Sequence, residues 1–125
     1  MKKFLFISAV LVVLAMVFVG CAKSDSAAIE DTTKGFFAAY NAQDYEKCLT
    51  YLPEVSETEQ SALITGLQYA RELSGEVTIE SITDIKVNDS TATATLTGTV
   101  MGQTQTQEIT LSKENGSWKM VWQTG

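Results

Sequence analysis

Apolar residues recur with a helical period through the first half of the body of the chain. From Ile29 to Tyr40 they fall three or four positions apart, which places them on one face of a helix. A second stripe, from Tyr45 to Leu52, predicts a helix of about two turns. Ser56 and Glu59 have the spacing of a capping box before a third periodic stretch, which ends at Gly75. The pattern therefore predicts three helices.

Beyond the third helix the apolar period changes to that of a β-strand. Residues 76–87 are rich in β-branched side chains, and a change of phase near Ser81 predicts a bulge. The run from Thr91 to Val100 alternates threonine with small or apolar residues, so it predicts a half-buried strand with one hydroxyl-bearing face. A third strand includes Ile109, and Asn115-Gly116 predicts the turn of a hairpin that leads to a fourth strand.

The order of these elements defines the expected architecture. All helices precede the strands and short turns join them, which predicts an α+β fold with three N-terminal helices packed on a curved four-stranded antiparallel sheet. The chain has 125 residues, enough for one domain with a modest core. The threonine face of residues 91–99 would either be solvated or pair two copies in a homodimer.

The amino terminus carries a separate, strongly apolar segment. Lys2 and Lys3 precede a run from Phe4 to Gly20 in which only Ser8 is polar, and this pattern indicates a secretion signal. The run is shorter than the roughly 20 residues of a membrane-spanning helix. Ala22 to Ala28 is small and polar without an apolar period, and it is interpreted as a tether that reaches about 25 Å.

The end of this segment, Phe18-Val19-Gly20-Cys21, resembles the lipobox of bacterial lipoproteins. In those proteins the cysteine thiol receives a diacylglyceryl group and becomes the new amino terminus. The resemblance implies lipidation of Cys21 and an extracytoplasmic protein on the cell membrane or outer membrane, whereas ordinary cleavage after Ala22 would release a soluble protein. The expected organisation is a signal peptide at 1–20, a lipidated cysteine with a short tether at 21–28 and a folded domain at 29–125.

The charge balance and the residue types exclude several partners and chemistries. The sequence has 9 basic and 15 acidic residues, and removal of Lys2 and Lys3 with the signal leaves 7 basic residues and a net charge of -8. Such a body is not expected to bind nucleic acid, and anionic lipid would repel it, so hydrocarbon has to hold it at a membrane. The sequence contains no histidine, phosphate loop or Cys/His metal cluster, which excludes Ser-His-Asp and Cys-His catalysis. No cofactor or metal is expected.

Two segments together resemble the nuclear transport factor two-like superfamily. They are the end of the first helix, Phe36-Phe37-Ala38-Ala39-Tyr40-Asn41-Ala42-Gln43-Asp44-Tyr45, and the final hairpin from Leu111 to Met120. Over residues 28–123 the chain is especially similar to small lipoproteins and secreted proteins of unknown function in that group. The resemblance implies a cone-shaped α+β fold and not an activity, because this fold hosts isomerases, dehydratases, cyclases, binding proteins and structural modules.

The resemblance also argues against the two best-known chemistries of the fold. Ketosteroid isomerase uses a tyrosine of its first helix in the oxyanion hole, and the match on Asn41-Ala42-Gln43-Asp44 places Phe36, which cannot donate a hydrogen bond, at that position. Dehydratase-like relatives depend on a histidine, which this sequence lacks. Asp44 is the alternative acid, but we expect its carboxylate to cap the second helix. Cys48 is expected to be a buried apolar residue.

Six side chains are candidates for the lining of a cavity between the helices and the sheet. They could surround a small apolar ligand or fill the space as solid core. These residues are Phe36, Phe37, Tyr40, Trp118, Met120 and Trp122. The expected function is that of a membrane-tethered, non-catalytic module that binds a small apolar ligand or an envelope protein. The alternatives are a small enzyme with an acidic residue in the pocket and a structural homodimer of the cell envelope.

Overall fold

The computed structural model describes residues 24–121 and has seven elements in this range. The helices are α1 (Asp25–Asn41), α2 (Tyr45–Leu49) and α3 (Glu57–Ser74), and the strands are β1 (Val77–Asn88), β2 (Thr91–Val100), β3 (Gln103–Glu114) and β4 (Ser117–Val121). The strands form one antiparallel sheet in the order β1-β2-β3-β4. The predicted α+β arrangement of three helices before a four-stranded antiparallel sheet is confirmed. Between residues 24 and 121, no helix is both long and apolar enough to cross a membrane.

Polar side chains set the start of all three helices. Ser24, Asp44 and Ser56 each accept the backbone N–H of the residue three positions later, at 3.2–3.3 Å. These bonds satisfy donors that have no partner within the helix. The predicted caps at Asp44 and Ser56 are confirmed. The Ser24 cap starts α1 at Asp25, one turn before the predicted start at Ile29, so the predicted tether is helical in its last four residues.

The second helix is shorter than the two turns predicted for it. α2 has five residues, and three backbone bonds from each N–H to the carbonyl three positions back then carry the chain to Leu52. This tighter geometry is common where a helix ends. The apolar stripe of the segment is kept, since Cys48 and Leu52 are both buried in the core. The predicted burial of Cys48 is confirmed.

The core lies between the helices and one face of the sheet. α1 contributes most of the helical part, and the two final strands contribute large side chains from the sheet. The core residues are Ile29, Phe36, Ala39, Tyr40, Cys48, Leu52, Leu67, Ala92, Leu111, Trp118 and Met120. Burial of this apolar surface is the main source of stability, because free energy scales with the area removed from water.

The strands show the alternation that the sequence predicts. In β2 the small or apolar residues Ala92, Ala94, Leu96 and Gly98 are buried, while the threonines between them are half-buried on the other face. The pairing of β1 with β2 shifts between Ile79 and Ser81 and again between Thr83 and Lys86, which confirms the predicted bulge near Ser81. The final hairpin turns at Asn115 and Gly116, both with positive φ, as a two-residue turn of this type requires.

One amide side chain joins the helical layer to the sheet. The Asn41 Nδ2 donates to the Val77 carbonyl at 2.7 Å, and the Val77 N–H donates to the Asn41 Oδ1 at 2.8 Å. Asn41 thus pairs with the start of β1 as a neighbouring strand would. The end of α1 and the first residue of the sheet are therefore held together, and this junction borders the candidate site.

Candidate ligand-binding cavity

A cavity of about 340 Å³ lies between α1, α3 and the sheet. Four of the six side chains predicted for such a cavity surround it: Phe36, Phe37, Tyr40 and Met120. The other lining residues are Ala70, Val77, Leu96, Gln107, Glu108, Ile109, Thr110 and Val121. The wall is therefore aromatic on the helix side and aliphatic on the sheet side. The polar groups come from the stretch of β3 between Gln107 and Thr110.

Three rings of α1 form the aromatic wall. The Phe36 and Phe37 rings meet edge to face with centroids 5.1 Å apart, and the Phe36 and Tyr40 rings stack at 6.4 Å. The Phe37 and Tyr40 rings meet edge to face at 6.3 Å. These are the preferred geometries of aromatic pairs, so each ring restrains the other two. The cavity consequently has a preorganised wall on this side.

Tyr40 contributes a neutral hydroxyl to this wall. Burial raises the pKa of its phenol, and the positive charge of Arg71 offsets only part of that effect. The phenol therefore stays protonated well above neutral pH. Its oxygen is suited to hydrogen bonding with a ligand and not to proton abstraction, because a general base needs a pKa close to the working pH.

Arg71 braces this end of the domain. Its Nη2 donates to the Asn41 carbonyl at 3.3 Å and lies 3.5 Å from a carboxylate oxygen of Glu76. Its Nε is buried and has no hydrogen-bond partner within residues 24–121. The guanidinium thus connects α3 to the end of α1 and to the residue before β1. Arg71 is not part of the cavity lining and instead helps to hold together the elements that form the cavity.

The other predicted site residues have different positions. Trp118 does not line the cavity: it is buried at the opposite end of the core, where its Nε1 donates to the Asp25 Oδ1 at 3.2 Å. Asp44 is exposed and its carboxylate caps α2, outside the cavity. Cys21 and Trp122 lie outside the residues that the structure describes.

Three polar residues of the lining, Gln107, Glu108 and Thr110, were not predicted. Gln107 and Glu108 are exposed residues of β3 at the edge of the cavity. Gln107 has the same strand parity as Ile109 and Leu111, which are partly and fully buried. Because Gln107 points to the same side of the strand as these core residues, its position in the sequence could have indicated that it borders the cavity. In residues 24–121 no cluster of three acidic or cysteine side chains is arranged to hold a metal ion.

A second concave surface lies beside α3. This groove of about 540 Å³ is mostly apolar, and Glu59 is the one charged residue in its lining. It is lined by Leu52, Pro53, Val55, Glu59, Ala62, Leu63, Gly66, Leu67 and Val121. The groove arises because α3 packs on the core chiefly through Leu67, while its neighbours Leu63 and Gly66 stay partly or fully exposed.

Comparison with known proteins identifies the fold. No protein-family model and no curated protein matches the sequence. A protein of unknown function from Mycobacterium tuberculosis has a similar structure, with a TM-score of 0.60, 16% identity and coverage of 77% of this chain and 67% of that chain. An NTF-2-like protein of unknown function from Shewanella oneidensis has a TM-score of 0.57 at 16% identity, and the match covers 78% of this chain and 94% of that one.

A third structure extends this likeness. It is a protein from Campylobacter jejuni described as a candidate NTF2-like transpeptidase, with a TM-score of 0.51, 14% identity and coverage of 80% of this chain and 100% of that one. Identities this low relate the folds and do not carry an activity across. The described part of the chain therefore has the nuclear transport factor two-like fold that its sequence resemblance implies.

Proposed function

We propose that this protein is a lipid-anchored extracytoplasmic module that binds a small, mostly apolar ligand without catalysis. The observation that carries the proposal is the cavity between α1, α3 and the sheet. Its volume of about 340 Å³ falls in the range of small-molecule sites, near the lower limit. Apolar walls with a few polar groups at one end are typical of such sites.

The lining indicates the chemistry of the ligand. Phe37 lines the cavity from the helix side and Leu96 from the sheet side, so the body of the ligand is expected to be flat or aliphatic. The polar end is expected to carry a hydrogen-bond donor, because the Gln107 amide oxygen and the Glu108 carboxylate are acceptors at the edge of the cavity. A strongly anionic ligand is disfavoured by the Glu108 charge.

The position of Asp44 argues against an enzyme that would use this residue, and Glu108, the acidic residue in the lining, is exposed at the edge of the cavity. Asp44, the acid considered for catalysis, caps α2 away from the cavity. The Tyr40 phenol is held neutral by burial. The sequence has no histidine to act as a base near neutral pH.

Cavity-filling substitutions test the binding proposal. Ala70→Phe adds a ring to the α3 side of the cavity, and Ala62→Phe adds the same ring to the separate groove of the same helix. Native mass spectrometry of the purified domain is expected to detect a bound small molecule in the parent and in Ala62→Phe, and to lose it in Ala70→Phe. The fluorescence of added N-phenyl-1-naphthylamine, an uncharged apolar probe, provides a second readout. Equal occupancy in the two variants would contradict the proposal.

The anchor is tested separately by fractionation. Cys21→Ser removes the proposed lipid attachment, and Cys48→Ala is the matched control because Cys48 is the only other cysteine and is buried. The serine variant is expected in the soluble fraction, while the control stays with the membranes. Unchanged sedimentation of Cys21→Ser with the membranes would refute the anchor and leave the cavity proposal untouched.

A further inference from the structure

β3 extends well beyond its partner strand β4. β3 pairs with β2 from Gln103 to Ser112, but β4 pairs only with the segment from Thr110 to Glu114. On the side opposite β2, the stretch from Gln103 to Ile109 has no strand partner among residues 24–121. The residues from Gln103 to Glu108 are all exposed. Among residues 24–121, this stretch of β3 is therefore a free sheet edge next to the cavity.

The composition of this edge contrasts with that of β1, the other edge strand of the sheet. β1 has two breaks in its register, a positive φ at Asp84 and the charged side chains of Glu80 and Lys86. Such features prevent a strand from pairing with another chain. The free edge of β3 has none of them between Gln103 and Gln107, where glutamine and threonine alternate in unbroken register with β2.

We propose that this free edge pairs with the same edge of a second copy of the chain. An antiparallel arrangement about a two-fold axis through Gln105 pairs Gln103 with Gln107, and Thr104 with Thr106, of the other copy. Every residue then faces an uncharged residue. Glu108 falls opposite Gly102 and not opposite a second Glu108, so no like charges meet despite the acidic body. The two sheets join into one sheet of eight strands.

The proposed contact is small, and this determines where it forms. Five residues from each copy bury less than the roughly 1,200 Å² of a stable interface in solution. Attachment of both copies to one membrane raises their effective concentration, so this step rests on the proposed anchor. Because Gln107 and Glu108 also line the cavity, the second copy would border its opening.

Cysteine cross-linking in membranes that carry the full chain tests the pairing. Opposed residues of an antiparallel pair have Cα atoms about 4.5–5.5 Å apart, a separation that a disulfide spans. Gln105→Cys is expected to give a covalent dimer on mild oxidation. Asp89→Cys, at the exposed turn at the other end of the sheet, is the control and is expected to stay monomeric. Soluble and membrane fractions are compared in the same experiment. If the proposed anchor is wrong, the protein is found in the soluble fraction, whatever the result of the cross-linking.

A charge exchange tests the two-fold axis. Gln105→Lys and Gln105→Glu each place like charges near the axis, and each is expected to lower dimerisation in the membrane about fivefold, measured as energy transfer between fluorescently labelled copies of the full chain. A mixture of the two variants is expected to restore dimers of mixed composition. No cross-link at position 105, equal cross-linking at position 89, a cross-link to a different protein, or no recovery in the mixture would overturn the proposal.

Discussion

At the scale of single residues, two helical glycines have different roles. A Cβ atom at Gly35 would lie 2.6 Å from atoms of the Tyr51 ring and hydroxyl. A Cβ atom at Gly66 would have nothing within 4 Å. The Tyr51 ring lies directly against the α1 backbone, and the Tyr51 carbonyl also accepts the Met120 N–H at 2.7 Å. A side chain at Gly35 therefore forces the Tyr51 ring to move, whereas no neighbour among residues 24–121 restricts Gly66.

Alanine substitutions are expected to affect these glycines in opposite directions. Gly35→Ala should lower the free energy of unfolding by about 1–3 kcal/mol, because the added methyl group displaces Tyr51. Gly66→Ala should raise it by about 0.5–1 kcal/mol through the better helix propensity of alanine. Urea unfolding of the domain from Ser24 onwards measures both changes. A stabilised Gly35→Ala variant would show that Tyr51 does not restrict this face of α1.

Because of the buried Cys48 thiol, we expect the free energy of unfolding to fall at alkaline pH. Burial, together with the negative charge of Asp44, raises the pKa of Cys48 from 9.0 to about 11. Because the folded state holds this proton more tightly than the unfolded state, the thiol stabilises the fold below pH 9, and this contribution is lost as the pH rises through 11. The raised pKa of Tyr40 acts in the same direction.

Unfolding measurements between pH 8 and pH 11 test this dependence. The free energy of unfolding should fall across the range, and Cys48→Ala should reduce the slope because one of the two titrating groups is gone. The comparison uses the slope, since the substitution also removes buried volume and lowers stability at every pH. An identical slope in the variant would contradict the assignment to Cys48.

At the scale of elements, substitutions of Asp44 test whether this residue has a structural role. Its carboxylate accepts the Lys47 N–H at 3.3 Å and starts α2. Asp44→Ala should cost about 1 kcal/mol, while Asp44→Asn should be nearly neutral because asparagine caps equally well. Thermal unfolding measures both variants. A large loss of stability in Asp44→Asn would show that the charge of Asp44, beyond its cap, supports the fold.

Local chemistry was sufficient to predict most elements. The cap at Ser56, the turn at Asn115-Gly116 and the alternation from Thr91 to Val100 each depend on residues close in sequence, and all three agree with the structure. The start of α1 was placed late because the apolar period begins at Ile29, whereas the Ser24 side chain starts the helix. The free edge of β3 is a relation between two strands of unequal length, so it has no local signal.

The site was predicted in part for the same reason. Phe36, Phe37 and Tyr40 lie within five positions on one helix, so the sequence places them together. Trp118 and Met120 share a face of β4, but two positions along a strand span about 6.6 Å. Trp118 therefore lies beside the start of α1, where it contacts Asp25, and not at the cavity. The tertiary position of α1 on the sheet determines this difference.

At the scale of the whole molecule, the proposed attachment to the membrane does not depend on the net charge of the domain. The chain beyond residue 20 is acidic, so electrostatic attraction to anionic lipid cannot hold it at a membrane. Under the proposed anchoring, washing membranes with 1 M sodium chloride should release none of the protein, because salt screens charges and leaves hydrocarbon burial intact. Immunoblotting of the wash measures this. Substantial release by salt would indicate an electrostatic attachment.

The early start of α1 limits how far the domain lies from the membrane once Cys21 is anchored. Only three residues separate that cysteine from Asp25, a reach of about 14 Å, and Asp25 is fixed beside the β3–β4 turn by the Trp118 indole. Tyr40 lies 15 residues further along α1, about 22 Å from that end. With α1 upright on the membrane, the proposed pocket would lie at the end of the domain away from the bilayer. A ligand would then reach the cavity by diffusion through water and not directly from the lipid bilayer.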